Sequence, residues 1–193
     1  QVATQVQRLM EEFPPYFVSV ATVSVTENQT QAIDLNASDP DGDALVYSLI
    51  PGGDSSKFYL NTSSGELSFQ SPPDFENPDS VAESNTYTLT VGVTDGTAPV
   101  TQALTINLTD LNDPPAFTSP ATISVPENQT LAHDVNASDP EGTPLVYALA
   151  GGADQGRFSI DFSTGVLTFK SPPDYEAKAS VAGDNAYAVT VET

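Results

Sequence analysis

The stretch TDLNDPPAF, residues 109–117, combines aspartates and an asparagine with two consecutive prolines. It is too polar for a buried core, and the prolines make it too stiff for a flexible linker. Asp110 and Asp113 lie close together in a chain whose net charge is already −21. Two carboxylates 4 Å apart repel each other by roughly 4 kcal/mol at an effective dielectric constant near 20. The segment therefore requires a source of positive charge.

Much of the sequence repeats, with substitutions, after an offset of one hundred residues. The matching segments are PPYF (14–17) with PPAF (114–117), LNASDPDG (35–42) with VNASDPEG (135–142), and SSGELSFQSPPDFE (63–76) with STGVLTFKSPPDYE (163–176). A period of this size is that of a small domain and is too long for a solenoid repeat. The sequence therefore predicts two tandem domains.

Short β-type runs fill the first copy: ATVSV, AIDLNA, LVYSL, KFYL, ELSFQ, TYTLTVGV and TQALTINLT. Each is rich in β-branched or aromatic residues, or alternates between apolar and polar positions, and therefore predicts a strand. Turn signals such as DPDGD (39–43) and DGTAP (95–99) separate them. The pattern predicts an all-β fold of two tandem Greek-key β-sandwiches of the seven-stranded type, the second of them without its final strand.

The ends of the duplication set the predicted domain bounds. Residues 1–13 are predicted to be a leader or the tail of a preceding segment, because Phe13 stands where Asp113 stands in the second copy. Repeat 1 is predicted at 14–113, with the linker at its end, and repeat 2 at 114–193. Thr193 is the counterpart of Val93, so we expect repeat 2 to lack its final strand and to expose a sheet edge. Such an edge can pair with a second copy to form a homodimer.

Composition excludes several classes of function. Only five Lys and Arg oppose 26 Asp and Glu, so a nucleic-acid backbone would be repelled. The chain has no Cys and one His, which excludes thiolate metal sites and most zinc sites, so any bound metal must be held by oxygen. No apolar run is long enough to span a bilayer, and we therefore expect no direct membrane insertion. Cations are the expected partners.

Acidic residues recur at fixed places in both copies: Glu27 and Glu127, Asp39 and Asp139, Asp41 and Glu141, Asp74 and Asp174, and Glu76 and Glu176. Calcium takes six to eight oxygen ligands from carboxylates and carbonyls. Asp74 and Glu76 stand at i and i+2 in the segment PPDFE, which we expect to be extended, so both side chains point the same way. This spacing favours a shared calcium ion.

These motifs, in this order, resemble tandem cadherin repeats of the kind found in bacterial surface proteins, over residues 14–193. TEN and PEN resemble the family's Pro-Glu-Asn, DPD and DPE its Asp-Ala-Asp, and PDFE and PDYE its Leu-Asp-Arg-Glu. TDGTAP and DLNDPPAF resemble its Asp-x-Gly turn and its acidic linker. The resemblance implies calcium ions at the junction between repeats, which would neutralise the acidic linker.

Carried over residue by residue, the resemblance assigns a calcium ligand set. It comprises Glu27, Asp74 and Glu76 from repeat 1; Asp110, Asn112, Asp113 and the carbonyls of Leu111 and Pro114 from the linker; and Asp139 and Glu141 from repeat 2. Two ions are expected. A third site is incomplete, because the second copy ends before a counterpart of Asp95.

The sequence therefore predicts a non-enzymatic, extracellular module, attached to a cell surface or secreted, that is stiffened by calcium. We expect it to serve adhesion, with a cell-surface protein or a polysaccharide as partner. The alternative is a structural spacer in a long multi-repeat surface protein. Each carboxylate taken singly is typical of a solvated face. Asp74 with Glu76 could also form the acid and nucleophile of a retaining glycosidase, but the pair recurs at 174 and 176 without a cleft-forming insertion.

Overall fold

The computed structural model describes residues 12–97 and 99–193. The chain divides into two compact units, unit 1 up to Leu111 and unit 2 from Asn112 to Thr193. The predicted leader, residues 1–13, lies outside the described residues except for its last two positions. The described residues contain strands and short 3₁₀ turns but no α-helix, and the all-β prediction is confirmed.

Unit 1 is built from two sheets. Its strands are β1 (Tyr16–Phe17), β2 (Thr22–Thr26), β3 (Gln31–Asp34), β4 (Ala37–Ser38), β5 (Val46–Ile50), β6 (Phe58–Leu60), β7 (Glu66–Phe69), β8 (Thr86–Thr94) and β9 (Val100–Thr109). One sheet has the order β2-β9-β8-β5 and the other β3-β7-β6, while β1 pairs with β4. Strand β9 runs parallel to β2 and antiparallel to β8.

The core of unit 1 lies between these two sheets. Buried side chains of the four-stranded sheet, such as Tyr87 and Ile106, pack in one cluster with Phe58, Leu67 and Phe69 of the other. The rings of Phe58 and Phe69 lie 4.5 Å apart, and Tyr87 meets both edge-on. Such edge-to-face pairs stabilise a core beyond the area that they bury. The shared core makes unit 1 a β-sandwich.

Unit 2 repeats this plan with fewer strands. They are β10 (Ala116–Phe117), β11 (Leu131–Asp134), β12 (Ala137–Ser138), β13 (Ala148–Gly151), β14 (Phe158–Ile160), β15 (Val166–Phe169) and β16 (Thr190–Glu192). The pairings are β11-β15-β14, β13-β16 and β10-β12. Phe158, Phe169 and Tyr187 repeat the aromatic arrangement of unit 1.

The predicted run AIDLNA differs in detail, because it forms two strands, β3 and β4. Leu35 lies between them and is buried in the core, with 1% of its surface exposed. The Asn36 carbonyl there accepts hydrogen bonds from the backbone N–H groups of Val18 and Ser19. Strand β1 was not predicted, because two residues are too few to show the alternation of apolar and polar positions that marks a strand.

Candidate metal centre

Three carboxylates of unit 1 form one group. Glu27, Asp74 and Glu76 each offer an oxygen, and these oxygens lie within 4.8 Å of one another. Oxygens that bind one calcium ion at about 2.4 Å can be no more than about 4.8 Å apart. The group therefore has the donor type and the spacing of part of a calcium shell. The ion pairs Lys57–Asp79 and Arg157–Asp154 use other carboxylates.

Glu27 is the buried member of this group, with 1% of its surface exposed. It follows β2, and the next residue, Asn28, has a left-handed backbone with φ of 62°, a conformation that asparagine tolerates well. The backbone N–H of Leu111 donates to Glu27 Oε1 at 2.8 Å, and that of Phe75 donates to Oε2 at 2.7 Å. One carboxylate thus connects the end of β2, the PPDFE segment and the end of unit 1.

Asp74 and Glu76 are both exposed, but they do not lie on an extended segment as expected. The chain bends at residues 75–77, and the backbone N–H of Asn77 donates to Asp74 Oδ1 at 2.9 Å. The bend, rather than strand alternation, brings the two carboxylates together. An oxygen of Asp110, which is exposed, lies within 4.8 Å of one on Glu76.

The remaining predicted ligands belong to unit 2. The backbone N–H of Asp113 donates to Glu141 Oε1 at 3.0 Å, and the Asn112 amide donates to the Asp113 carbonyl at 3.1 Å. Asp139 Oδ1 accepts from the backbone N–H of Thr143 at 3.0 Å, and Pro114 is exposed. Glu141 Oε2 is buried and accepts no hydrogen bond from the described residues. A buried carboxylate oxygen without a donor is what a cation would satisfy.

The contact between Asp113 and Glu141 has a counterpart in unit 1. There the backbone N–H of Phe13 donates to Asp41 Oδ2 at 2.7 Å. Both donors immediately precede the paired prolines of their copy. This contact was not predicted from the sequence. The usable signal was the number of residues between the Pro-Pro pair and the second acidic residue of DPD or DPE, which is the same in both copies.

The turn after β8 holds a further acidic residue, Asp95. The hydroxyl and backbone N–H of Thr97 both donate to Asp95 Oδ1 and lower the pKa of this carboxyl group. Asp95 Oδ2, like Asp39 Oδ2, is buried and accepts no hydrogen bond within the described part of the chain. Both residues therefore keep one oxygen available for a cation.

Unit 2 contains a second copy of the first carboxylate group. Oxygens of Glu127, Asp174 and Glu176 lie within 4.8 Å of one another, and the backbone N–H of Tyr175 donates to Glu127 Oε2 at 2.7 Å. All three residues are exposed, and the counterpart of Leu111 falls beyond Thr193. The spacing of the group thus recurs, but the burial of its first glutamate does not.

Residues 21–109 match the family model described as cadherin domain, and residues 112–192 match the one described as bacterial Ig domain. The chain carries tandem cadherin-like repeats. Mouse cadherin-related family member 2 is 32% identical over 154 residues, which cover 74% of this chain and 12% of that protein. Chitinase A of Pseudoalteromonas piscicida is 33% identical over 128 residues, which cover 65% of this chain and 14% of that protein. The cadherin-like chain therefore spans only a small part of these relatives.

Solved structures agree with the cadherin-like fold. The crystal structure of human protocadherin-24 EC1-2 matches with a TM-score of 0.53 and 23% identity, covering 87% of this chain and 82% of that one. At this identity the likeness establishes the fold alone. Cadherin-like domains are extracellular adhesion-type domains. The described part of the chain contains no helix that could cross a membrane.

Two asparagines that position the cadherin-like acidic loops were not predicted. The Asn85 side-chain amide donates to the Phe75 carbonyl at 2.9 Å, and the Asn185 amide donates to the Tyr175 carbonyl at 3.1 Å. Each holds the loop that carries Asp74 or its counterpart. Their recurrence one hundred residues apart was the available signal, but an asparagine outside an acidic motif gives no indication of the loop that it contacts.

Proposed function

We propose that this chain is a calcium-binding, non-catalytic extracellular adhesion module of a bacterial protein. The observation that carries the proposal is the carboxylate group of Glu27, Asp74 and Glu76, whose oxygens lie within 4.8 Å of one another in a chain of net charge −21. Its recurrence in unit 2 and the tandem cadherin-like repeats support the same reading. The match of residues 112–192 to a bacterial Ig domain supports the bacterial origin.

The donor set favours calcium over magnesium. Glu27 is buried and held by two backbone N–H groups, while Asp74 and Glu76 are exposed beside or on a bend, so the shell combines one buried member with two exposed ones. Calcium accepts irregular shells of this type, whereas magnesium requires near-ideal octahedral geometry. In unit 2, Glu141 keeps one buried oxygen without a donor from the described residues. That the ligands of both units share ions, as the sequence predicts, remains part of this proposal.

Bound calcium would neutralise the repulsion among these carboxylates and fix the loops that carry them. A ligand that binds only the folded state adds RT ln(1 + [L]/Kd) to its stability. Calcium sites of extracellular modules have dissociation constants of about 10⁻⁴ to 10⁻³ M, so about 10 mM calcium would add roughly 1.4 to 2.7 kcal/mol per site.

Thermal unfolding in chelator and in calcium tests the metal part of the proposal. We expect calcium to raise the melting temperature and magnesium to raise it much less. Glu76→Gln should remove most of the calcium effect on the unfolding of unit 1, while Glu66→Gln, which neutralises an exposed carboxylate on β7, should retain it. An unchanged melting curve from chelator to about 10 mM calcium, well above the Kd range of extracellular sites, would contradict calcium binding.

A structural spacer is the second candidate, and the chitinase A match favours it. That match covers only 14% of the chitinase, as expected of an accessory module that holds a carbohydrate-active domain at a distance. Binding of the purified chain to whole cells and to insoluble chitin, with calcium or with chelator, separates the two functions. Calcium-dependent retention supports adhesion. Absence of retention on every surface, together with calcium stabilisation, supports the spacer.

A further inference from the structure

Phe75, the residue between the two exposed carboxylates of unit 1, is held at both of its backbone polar groups. Its N–H donates to Glu27 Oε2 at 2.7 Å, and its carbonyl accepts from the Asn85 side-chain amide at 2.9 Å. The N–H lies in the peptide plane that includes the Cα atom of Asp74, and the carbonyl lies in the plane that includes the Cα atom of Glu76. Each hydrogen bond therefore orients the backbone that carries one of these two carboxylates.

Asn85 is itself anchored in the four-stranded sheet. It immediately precedes β8, and its backbone carbonyl accepts from the N–H of Leu108 on β9 at 2.7 Å. The neighbouring Thr109 carbonyl accepts from the N–H of Glu27 at 3.2 Å. The hydrogen bonds thus form a closed ring that runs from Glu27 to Phe75, then to Asn85, to β9 and back to Glu27.

The side chain that closes this ring is an amide rather than a charged group. Lys or Arg could also donate to the Phe75 carbonyl, but a positive charge there would repel a cation bound by the neighbouring carboxylates. An asparagine NH₂ group donates without carrying a charge. The Asn85 Oδ1 atom is buried and accepts no hydrogen bond from the described residues, which is an energetic cost that needs an explanation. The requirement for an uncharged donor supplies that explanation.

The same arrangement recurs in unit 2. The Tyr175 N–H donates to Glu127 Oε2 at 2.7 Å, and the Tyr175 carbonyl accepts from the Asn185 amide at 3.1 Å. The residues on either side, Asp174 and Glu176, again belong to a group of three carboxylates. Both units thus combine a carboxylate group with the same uncharged donor, although much of the loop that separates the two differs in sequence.

We propose that Asn85 is a positioning residue that sets the calcium affinity of the group formed by Glu27, Asp74 and Glu76. It acts through the Phe75–Glu76 peptide plane and contributes no ligand of its own. Without its amide this plane is free to rotate, and Glu76 spends less time beside the other two carboxylates. The inference rests on the proposed calcium binding. Removing an outer-shell partner of this kind typically lowers metal affinity by about 10- to 100-fold.

Calcium titration of the whole chain, followed by NMR of the backbone amides, measures the carboxylate groups of both units in one sample. We expect Asn85→Ala to raise the calcium Kd reported by residues 74–76 at least about tenfold, and to leave the Kd reported by residues 174–176 unchanged. Asn85→Gln keeps an uncharged NH₂ donor on a longer side chain and should give an intermediate Kd. The amides of β8 should keep their native shifts in both variants.

Ser80→Ala is the matched control within the same loop. The Ser80 hydroxyl donates to the Ser84 carbonyl at 2.7 Å and accepts from the Ser84 N–H at 3.0 Å, so its loss loosens the loop without removing a bond to Phe75. In chelator, the chemical shift of the Phe75 carbonyl carbon should move in Asn85→Ala and stay in place in Ser80→Ala. The calcium Kd of Ser80→Ala should remain close to that of the wild type.

Two results would overturn the proposal and leave calcium binding intact. One is an equal loss of affinity in Asn85→Ala and Ser80→Ala, because general loosening of the loop would then be the cause. The other is an unchanged Kd in either Asn85 variant whose Phe75 carbonyl shift has moved. A wild-type chain whose amides at 74–76 do not respond to calcium would instead refute the proposed function, and this inference with it.

Discussion

Glu27→Gln tests the idea that one buried carboxylate holds the candidate site of unit 1 together. The variant keeps the shape of the side chain but replaces one carboxylate oxygen with an NH₂ group. Glu27 accepts from Leu111 and from Phe75, one N–H on each oxygen. A glutamine can satisfy only one of these donors, and its NH₂ then faces the other. Leaving a buried donor without an acceptor costs about 1 to 3 kcal/mol.

A second effect of this substitution has the opposite sign. Removing one negative charge from a group of three carboxylates relieves repulsion in the absence of metal. Glu127→Gln in unit 2 is the matched control, because Glu127 belongs to a group with the same 4.8 Å spacing. It is exposed and accepts from Tyr175 on Oε2, so the amide oxygen of a glutamine can take over that bond. The relief of repulsion is then common to both variants.

Native-state hydrogen exchange in chelator measures the two units separately, through the amides of β8 for unit 1 and of β15 for unit 2. We expect Glu27→Gln to lower the free energy of unfolding of unit 1, relative to the effect of Glu127→Gln on unit 2, by about 1 to 3 kcal/mol. The amides of Phe75 and Leu111 should also exchange faster. Equal effects of the two substitutions would refute the assigned role of the Leu111 and Phe75 bonds.

Two further outcomes concern proton binding. The hydroxyl and backbone N–H of Ser163 lower the pKa of Asp161 from 3.8 to about 2, so the stability that this carboxylate adds is present above about pH 4 and is lost as pH falls through about 2. Ser163→Ala should raise that pKa in a carboxyl NMR titration, and an unchanged value would contradict the assigned cause. Burial, and then the hydrogen bond to Asp79, raise the pKa of Tyr87. Asp79→Ala should lower the pKa of Tyr87, measured by ultraviolet titration of the phenol. Unit 2 already has alanine, Ala179, at the corresponding position. An unchanged pKa of Tyr87 would exclude the contribution of Asp79.

Local pattern was sufficient to predict the fold class. Seven β-type runs and their turns lie in sequence order, and a repeat of one hundred residues is visible without coordinates. The acidic motifs could be recognised in the same way, because carboxylates at fixed offsets in two copies are a one-dimensional signal. The split of AIDLNA into two strands was not predicted, since the burial of Leu35 depends on a core assembled from distant segments.

The sequence by itself determined the two-copy organisation, the all-β class and the acidic residue types of the candidate metal site, because each is carried by residue order and composition. Tertiary structure alone decided which of these carboxylates are buried and what they contact. Asp74 and Glu76 are exposed, whereas Glu27 of the same carboxylate group is buried. Its second donor, Leu111, lies 84 residues further along the chain. A hydrogen bond between such distant positions forms only when the strands between them have folded, and no local pattern records it.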